Sequence, residues 1–360
     1  MSSPSIAQIS SRYFYVSSYD KDYPSGIALY RLDYLTGKIS KVDEFGAESN
    51  SDYLAISPDN NFLLSVAMDD DTSEGLISSF SINKETGELQ YIDEEVSGGK
   101  DPCYISISEN NFAVVAHYSS GNVSVVSLDP EGQIGKIVEN IKHNGSGPNK
   151  DRQDAPHPHM SIYYPKGGYV FVPDLGMDKI MVYKLRVNGV LKVTDYPFGD
   201  LAGGAGPRHF ALHPDYKFGY VVNELNSTVT AFSFSKKTGE LKEIQTVSSL
   251  ARPFEKDNYL ADVQVSADGR FLYASNRGHD SISIFSIDQK TGQLTLVKTE
   301  SCLGQWPRAF TIDPSGKFLI VANEHSGNLV LFHIDSETGL LKFAFESEEF
   351  PAPRCIKFLN

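Results

Sequence analysis

The chain is short of cysteine, tryptophan and basic side chains, and it has no long apolar run. Its three cysteines, Cys103, Cys302 and Cys355, cannot all pair and show no CxxC spacing. That argues against a disulfide framework or a zinc knuckle and leaves them as small buried residues. No stretch approaches the roughly 20 apolar residues of a membrane span, so a soluble protein with no membrane partner is expected. The opening MSSPSIAQISSRYFYV has no basic segment followed by an apolar core. No secretory leader is expected there, and the default compartment is the cytoplasm. Basic residues number 32 against 46 acidic ones, a net charge of −14. Such a surface repels nucleic acid and anionic lipid, so an anionic substrate must meet a local basic cluster. The sole tryptophan, Trp306, precedes Pro307, and without a WD dipeptide a WD-type interaction repeat is disfavoured. A GxSxG elbow is also missing, which disfavours an acyl-enzyme route.

What is present is repetition. A chain of 360 residues exceeds one simple core, so it holds either two domains or a repeated unit. Self-similarity recurs every 45 to 55 residues or so. The runs YLAISPDNNFLLSVAM from Tyr53, CYISISENNFAVVAHY from Cys103 and HMSIYYPKGGYVFVPD from His159 share one phrase. RHFALHPDYKFGYVVNE from Arg208, ADVQVSADGRFLYASNR from Ala261 and RAFTIDPSGKFLIVANE from Arg308 repeat it. Each reads as an apolar strand, a tight turn such as PDN or PSG, and a second apolar strand. Alternating runs such as SISIFSID and NLVLFHID follow, then a turn such as KETGEL or QKTGQL and a fourth short strand. Four strands per repeat is the blade of a propeller.

Seven first strands can be counted, the last being RCIKFLN from Arg354, while YFYVSS…IALYRLDYLTGKISKV lacks one. The spacing predicts that residues 354 to 358 complete the blade begun by residues 13 to 45, closing the ring and hiding two sheet edges. The expectation is an all-β, seven-bladed β-propeller of four-stranded antiparallel blades, one domain spanning residues 1–360. The polar run NGSGPNKDRQDAPHPHM from Asn144 is expected at the channel mouth.

First strands of a propeller line its channel, so polar residues at their starts, or at the ends of second strands, are candidate site residues. They include His157, His159, Asp174, Arg208, Glu224, Arg277, Arg308 and Glu324, with His117 and Tyr118 from a less charged blade. Such a concentration of arginine and histidine requires acidic partners or a bound anion. Each residue has a plainer reading as a salt bridge between blades. Asp174 can simply cap a turn, His209 is expected to pack, and His213 in HPDY is expected to be solvated. HPH offers only a weak metal motif, and nearby arginines would repel a cation, so no metal and no other cofactor is expected.

The runs HPHMSIYYPKGGYVFVPDLGMDKI, GAGPRHFALHPDYKFGYVVNELNSTV, VQVSADGRFLYASNRGHDSISIF and PRAFTIDPSGKFLIVANE resemble the lactonase family of seven-bladed propellers. That family includes propeller-type 6-phosphogluconolactonases and, more distantly, fungal 3-carboxy-cis,cis-muconate lactonizing enzymes. The likeness covers essentially the whole chain and is weakest in the first third, where VAMDDD departs from the usual Asn-Glu after that strand. It implies hydrolysis or closure of a lactone at a site of one His, two Arg and one Glu, which fall on His159, Arg208, Glu224 and Arg277. Lactone hydrolysis needs a base for water, donors for the oxyanion and a cationic seat for phosphate or carboxylate. Glu224 or His159 is placed to be the base, and Arg208 and Arg277 to bind the anion or the carbonyl oxygen. His157, Asp174, Arg308, Glu324 and His117 are the expected substrate-binding residues. The expected partner is a small anionic lactone or sugar acid; the oligomeric state is not legible. A muconate lactonizing or cycloisomerase activity and a non-catalytic scaffold are the alternatives.

Overall fold

The computed structural model describes residues 10–20, 26–46, 50–69 and 71–359. Part of the segment read for a leader, residues 1–9, and Asp70 of VAMDDD lie outside the described residues. The repeat folds as read. Its S/D-P turns close because one side chain satisfies several backbone donors: Asp313 Oδ1 accepts from Lys317 N at 2.9 Å and Phe318 N at 2.7 Å. Ser57 Oγ does the same for Asn61 and Phe62. In the TG turns, Asp288 Oδ1 accepts from the amides of Lys290 and Thr291 at 2.9 and 2.8 Å. These are Asx turns, in which a short acidic side chain stands in for a backbone carbonyl.

Seven four-stranded antiparallel sheets result. The first blade is built from both ends of the chain in the order Pro353–Phe358, Ser11–Ser18, Ile27–Asp33, Lys38–Phe45. Phe14 lies opposite Phe358 and Val16 opposite Ile356, as the orphaned half-copy predicts. Blades two to seven begin at Tyr53, Pro102, Ile162, Pro207, Tyr259 and Pro307. Innermost strands of successive blades pack side by side around the axis, and the first and seventh blades meet to close the circuit. Burial falls outward through each blade. In the fifth, Phe218–Asn223 is buried at every residue, whereas Leu241–Ser248 is mostly exposed. All three cysteines are free and buried, as expected.

Blades are fastened to one another by a repeated device. A buried tyrosine on a second strand donates to the carbonyl of the turn glycine in the next blade: Tyr15 to Gly87 at 2.8 Å, Tyr220 to Gly292 at 3.2 Å, Tyr273 to Gly339 at 2.9 Å. The glycine is required there, because at Gly339 φ is +72° and a Cβ would come within 2.5 Å of the Phe271 ring. His213 is part of a similar seam and corrects the expectation of a solvated loop residue. It is buried, with Nδ1 at 2.7 Å from Asp215 Oδ1 and Nε2 at 3.0 Å from the Gly269 carbonyl of the next blade.

Replacing Tyr273 by Phe removes one buried inter-blade hydrogen bond and is expected to lower unfolding stability in urea by about 1 kcal/mol. Gly339→Ala, which combines left-handed backbone with a clash, is expected to cost more than Tyr273→Phe in the same titration.

Candidate active site

Two registers of the repeat aim side chains at the axis. The first register lies at or near the start of each innermost strand and supplies, round the ring, Asp52, Cys103, His159, Arg208, Ala261, Arg308 and Arg354. The second register lies six residues beyond the aromatic that opens each second strand, and supplies Tyr19, Tyr118, Glu224, Arg277 and Glu324. Most of these converge on a cavity of about 380 Å³ at the channel mouth, lined also by Asp101 and by Arg152 from the long loop. A larger open groove of about 930 Å³ adjoins it and shares Arg152. The buried charges and the perturbed titratable groups meet in the smaller cavity rather than in the groove, which makes it the candidate site.

Glu224 organises one side of the cavity. It is 4% exposed, and its Oε2 accepts from Arg277 Nη2 at 2.7 Å and faces Arg208 Nε at 3.2 Å, while Oε1 accepts from Arg152 Nη2 at 2.6 Å. Burial pushes its carboxyl up, but Arg277, Arg208 and Arg152 outweigh burial and hold it at about 2. Burial, with Arg277 and Arg308 nearby, lowers Arg208 to about 9, which leaves it charged near neutrality. On the other side Arg354 bridges Asp52 Oδ1 and Glu324 Oε1 at 2.9 and 2.8 Å. Arg308 sits 3.9 Å from Asp52 and 3.7 Å from Glu324. Five arginines thus face four carboxylates, Asp52, Asp101, Glu224 and Glu324, a local positive excess on an acidic protein.

His159 is buried within this set, and its Nδ1 has no hydrogen-bond partner among the described residues. Burial first, then Arg208, His209 and Arg308, push it well below the usual histidine range, so it is neutral near pH 7. Burial drives the Cys103 thiol well up, which makes this cavity-lining cysteine a poor nucleophile. One residue further along the innermost strands, Tyr53, Tyr104 and His209 are buried and pack ring against ring. His209 Nδ1 lies 2.9 Å from Asp262 Oδ1, and Lys357 Nζ is 4.6 Å from the centre of the Tyr53 ring.

The structure brings His159, Arg208, Glu224, Arg277, Arg308 and Glu324 together, Arg208 and Glu324 through ion pairs rather than as cavity lining. It does not bring His117 and Asp174 to the cavity. These lie five, not six, residues beyond the opening aromatic, and along a strand one residue reverses the face. His117 is therefore buried against Ser97 Oγ at 2.9 Å. Asp174 bonds His143 Nδ1 at 2.6 Å and the His157 amide at 2.7 Å, neither residue lining the cavity. Asn223, Asn276 and Asn323 occupy the same buried register. His157 stands behind the wall, its ring stacked on Tyr118 at 4.4 Å. Missed were Arg152, Asp52, Asp101, Tyr19 and Arg354. Arg354 was findable, since it completes a Pro-Arg series with Arg208 and Arg308; Arg152 lies in an unrepeated loop and carried no signal.

Glu224→Gln leaves the buried guanidiniums of Arg208 and Arg277, and the partly exposed one of Arg152, without their carboxylate and is expected to lower unfolding stability by about 3 kcal/mol or more in urea titrations at pH 7. A pH effect follows from buried neutral histidines. Burial depresses His117 to about 4, and burial with Arg208 depresses His209 to about 4. Below an ordinary histidine pKa of about 6.5 the unfolded chain binds these protons and the folded one does not. Unfolding stability should therefore be complete above that pH and decline as pH falls toward 4, with a shallower decline in His117→Asn.

A family model described as lactonase, 7-bladed beta-propeller matches residues 13–358. The 6-phosphogluconolactonase of Bacillus subtilis is 38% identical over 347 residues, covering 96% of this chain and 98% of that one. The 6-phosphogluconolactonase of Formosa agariphila is 37% identical over 302 residues, covering 82% and 84%. Among solved structures, the periplasmic gluconolactonase PpgL of Pseudomonas aeruginosa superposes with a TM-score of 0.90 at 30% identity, over 97% of this chain and 99% of that one. The fold, the convergence of basic side chains at the channel mouth and these likenesses agree, and the chain belongs to the seven-bladed propeller lactonase family.

Proposed function

We propose that this protein hydrolyses 6-phospho-glucono-1,5-lactone to 6-phosphogluconate by direct attack of water, a step of the oxidative pentose phosphate route, with the cytoplasm as its compartment. The observation that carries the reading is the Glu224 cluster. One carboxylate shared by Arg152, Arg208 and Arg277 leaves two positive charges unbalanced in a buried setting. A substrate phosphate or carboxylate supplies the missing charge, and planar guanidinium forks bind such groups in a fixed orientation.

The opposite wall suits the carbonyl. Arg308 makes no hydrogen bond among the described residues, only the two long ion pairs, so its donors are free for a developing oxyanion. His159, neutral and unpartnered at Nδ1, orients the lactone or the water by hydrogen bonding. The acid strength of Glu224, about 2, disqualifies it as the base and makes it the clamp that holds the arginines. His159 is also a weak base, since an imidazolium there would stand beside Arg208 and Arg308. His157 supports the wall through Tyr118, and Glu324 positions Arg354 and Arg308.

Unphosphorylated gluconolactone is the second substrate to weigh, because PpgL superposes so closely. Freshly prepared phosphorylated and unphosphorylated lactones, followed as initial rates above spontaneous opening, test both. Faster turnover of the phosphorylated lactone is expected, with kcat/KM falling roughly 10- to 100-fold in Arg277→Met, the loss of a charge-assisted contact. No rate above the spontaneous one on either substrate would sink the proposal, as would full activity in that variant.

A further inference from the structure

Direct water attack requires a base, and neither Glu224 nor His159 is suited to the task. Three of the four cavity carboxylates are locked to arginine: Glu224 to three guanidiniums, Asp52 and Glu324 to Arg354. Asp101 is the exception. It lines the cavity, half-buried, and among the described residues it forms no ion pair within 4 Å. Its one hydrogen bond comes from Ser119 Oγ to Oδ2 at 2.8 Å. The backbone holds it in place: φ is 57°, and its carbonyl accepts from Tyr118 N at 2.9 Å.

We infer that Asp101 is the general base of the lactonase reaction, an assignment that rests on the lactonase reading given above. An Asp101 carboxylate oxygen takes one proton from water as the water oxygen bonds to the lactone carbonyl carbon. The C=O electron pair moves onto the carbonyl oxygen, beside Arg308. On collapse the bond between that carbon and the ring oxygen breaks, and the proton on Asp101 passes to the departing oxygen. The open acid then ionises to solvent, and Asp101 is restored.

The surroundings suit this cycle. Burial raises the Asp101 carboxyl above the ordinary aspartate range, Ser119 opposes that, Asp52 adds to it, and Arg308 and Arg354 moderate it. A carboxylate made more basic, but not neutralised by an ion pair, both accepts and returns a proton readily.

The test is Asp101→Asn in the full chain, assayed on the phosphorylated lactone. Asn tolerates the same left-handed backbone, so the fold should survive. A kcat loss of about 100-fold or more is expected for a missing general base, with KM within about threefold of the wild type. A second variant reads the proton itself. Ser119→Ala removes the hydrogen bond that opposes protonation, so the acidic limb of its kcat profile should move to higher pH. Wild-type activity with an Asp101→Asn rate within threefold of normal overturns the inference and spares the lactonase reading. An acidic limb that stays in place in Ser119→Ala also overturns it, because Asp101 would then act through structure alone. Absence of wild-type turnover overturns the lactonase reading and the assignment together.

Discussion

Glu224 is the constraint on which the site depends. A carboxylate out of water is costly, and so are three guanidiniums; each is tolerable only because the others are there. Arg208 and Glu224 belong to the fifth blade, Arg277 to the sixth, and Arg152 to the loop before the fourth. The cluster therefore ties three sectors of the ring at the mouth cavity. One acid cannot neutralise three cations, so the cluster keeps a positive excess, and the same imbalance holds the Glu224 carboxyl at about 2.

Rotational repetition explains how so varied a cavity is made from one unit. Every blade places the same two registers at the axis, and divergence at those positions turns a symmetric ring into a polarised pocket. Arginines cluster on the fifth, sixth, seventh and first blades, while the second and third contribute Asp52, Asp101, Cys103 and Tyr118. The tyrosine-to-glycine bonds repeat with little change on the same second strands, Tyr220 four residues before Glu224 and Tyr273 four before Arg277. Scaffold and site thus occupy different levels along one strand.

Function was legible to the extent that it followed the repeat. Arg208 and Arg308 stood at the same place in two copies of one phrase, and the structure lines the cavity with Arg308 and pairs Arg208 with Glu224 behind its wall. His117 and Asp174 looked equivalent to Glu224 and Arg277, but a displacement of one residue sends a strand side chain to the opposite face, and both are spent on internal hydrogen bonds. Arg152 and Asp101 lie on connections outside the strand register, where periodicity says nothing about direction.

By itself the sequence determined the seven blades, the joining of the two chain ends in one sheet and the chemical character of the channel, because hydrophobic alternation and turn residues are local properties written once per copy. Only the tertiary structure decided which charges neutralise one another. Ion pairing depends on distances of a few ångströms between residues tens of positions apart, and on burial that strengthens each pair. That is why Glu224, a candidate base in the sequence, is found shared among three arginines, and why Asp101, unremarkable in the chain, is the cavity carboxylate with no ion pair within 4 Å among the described residues.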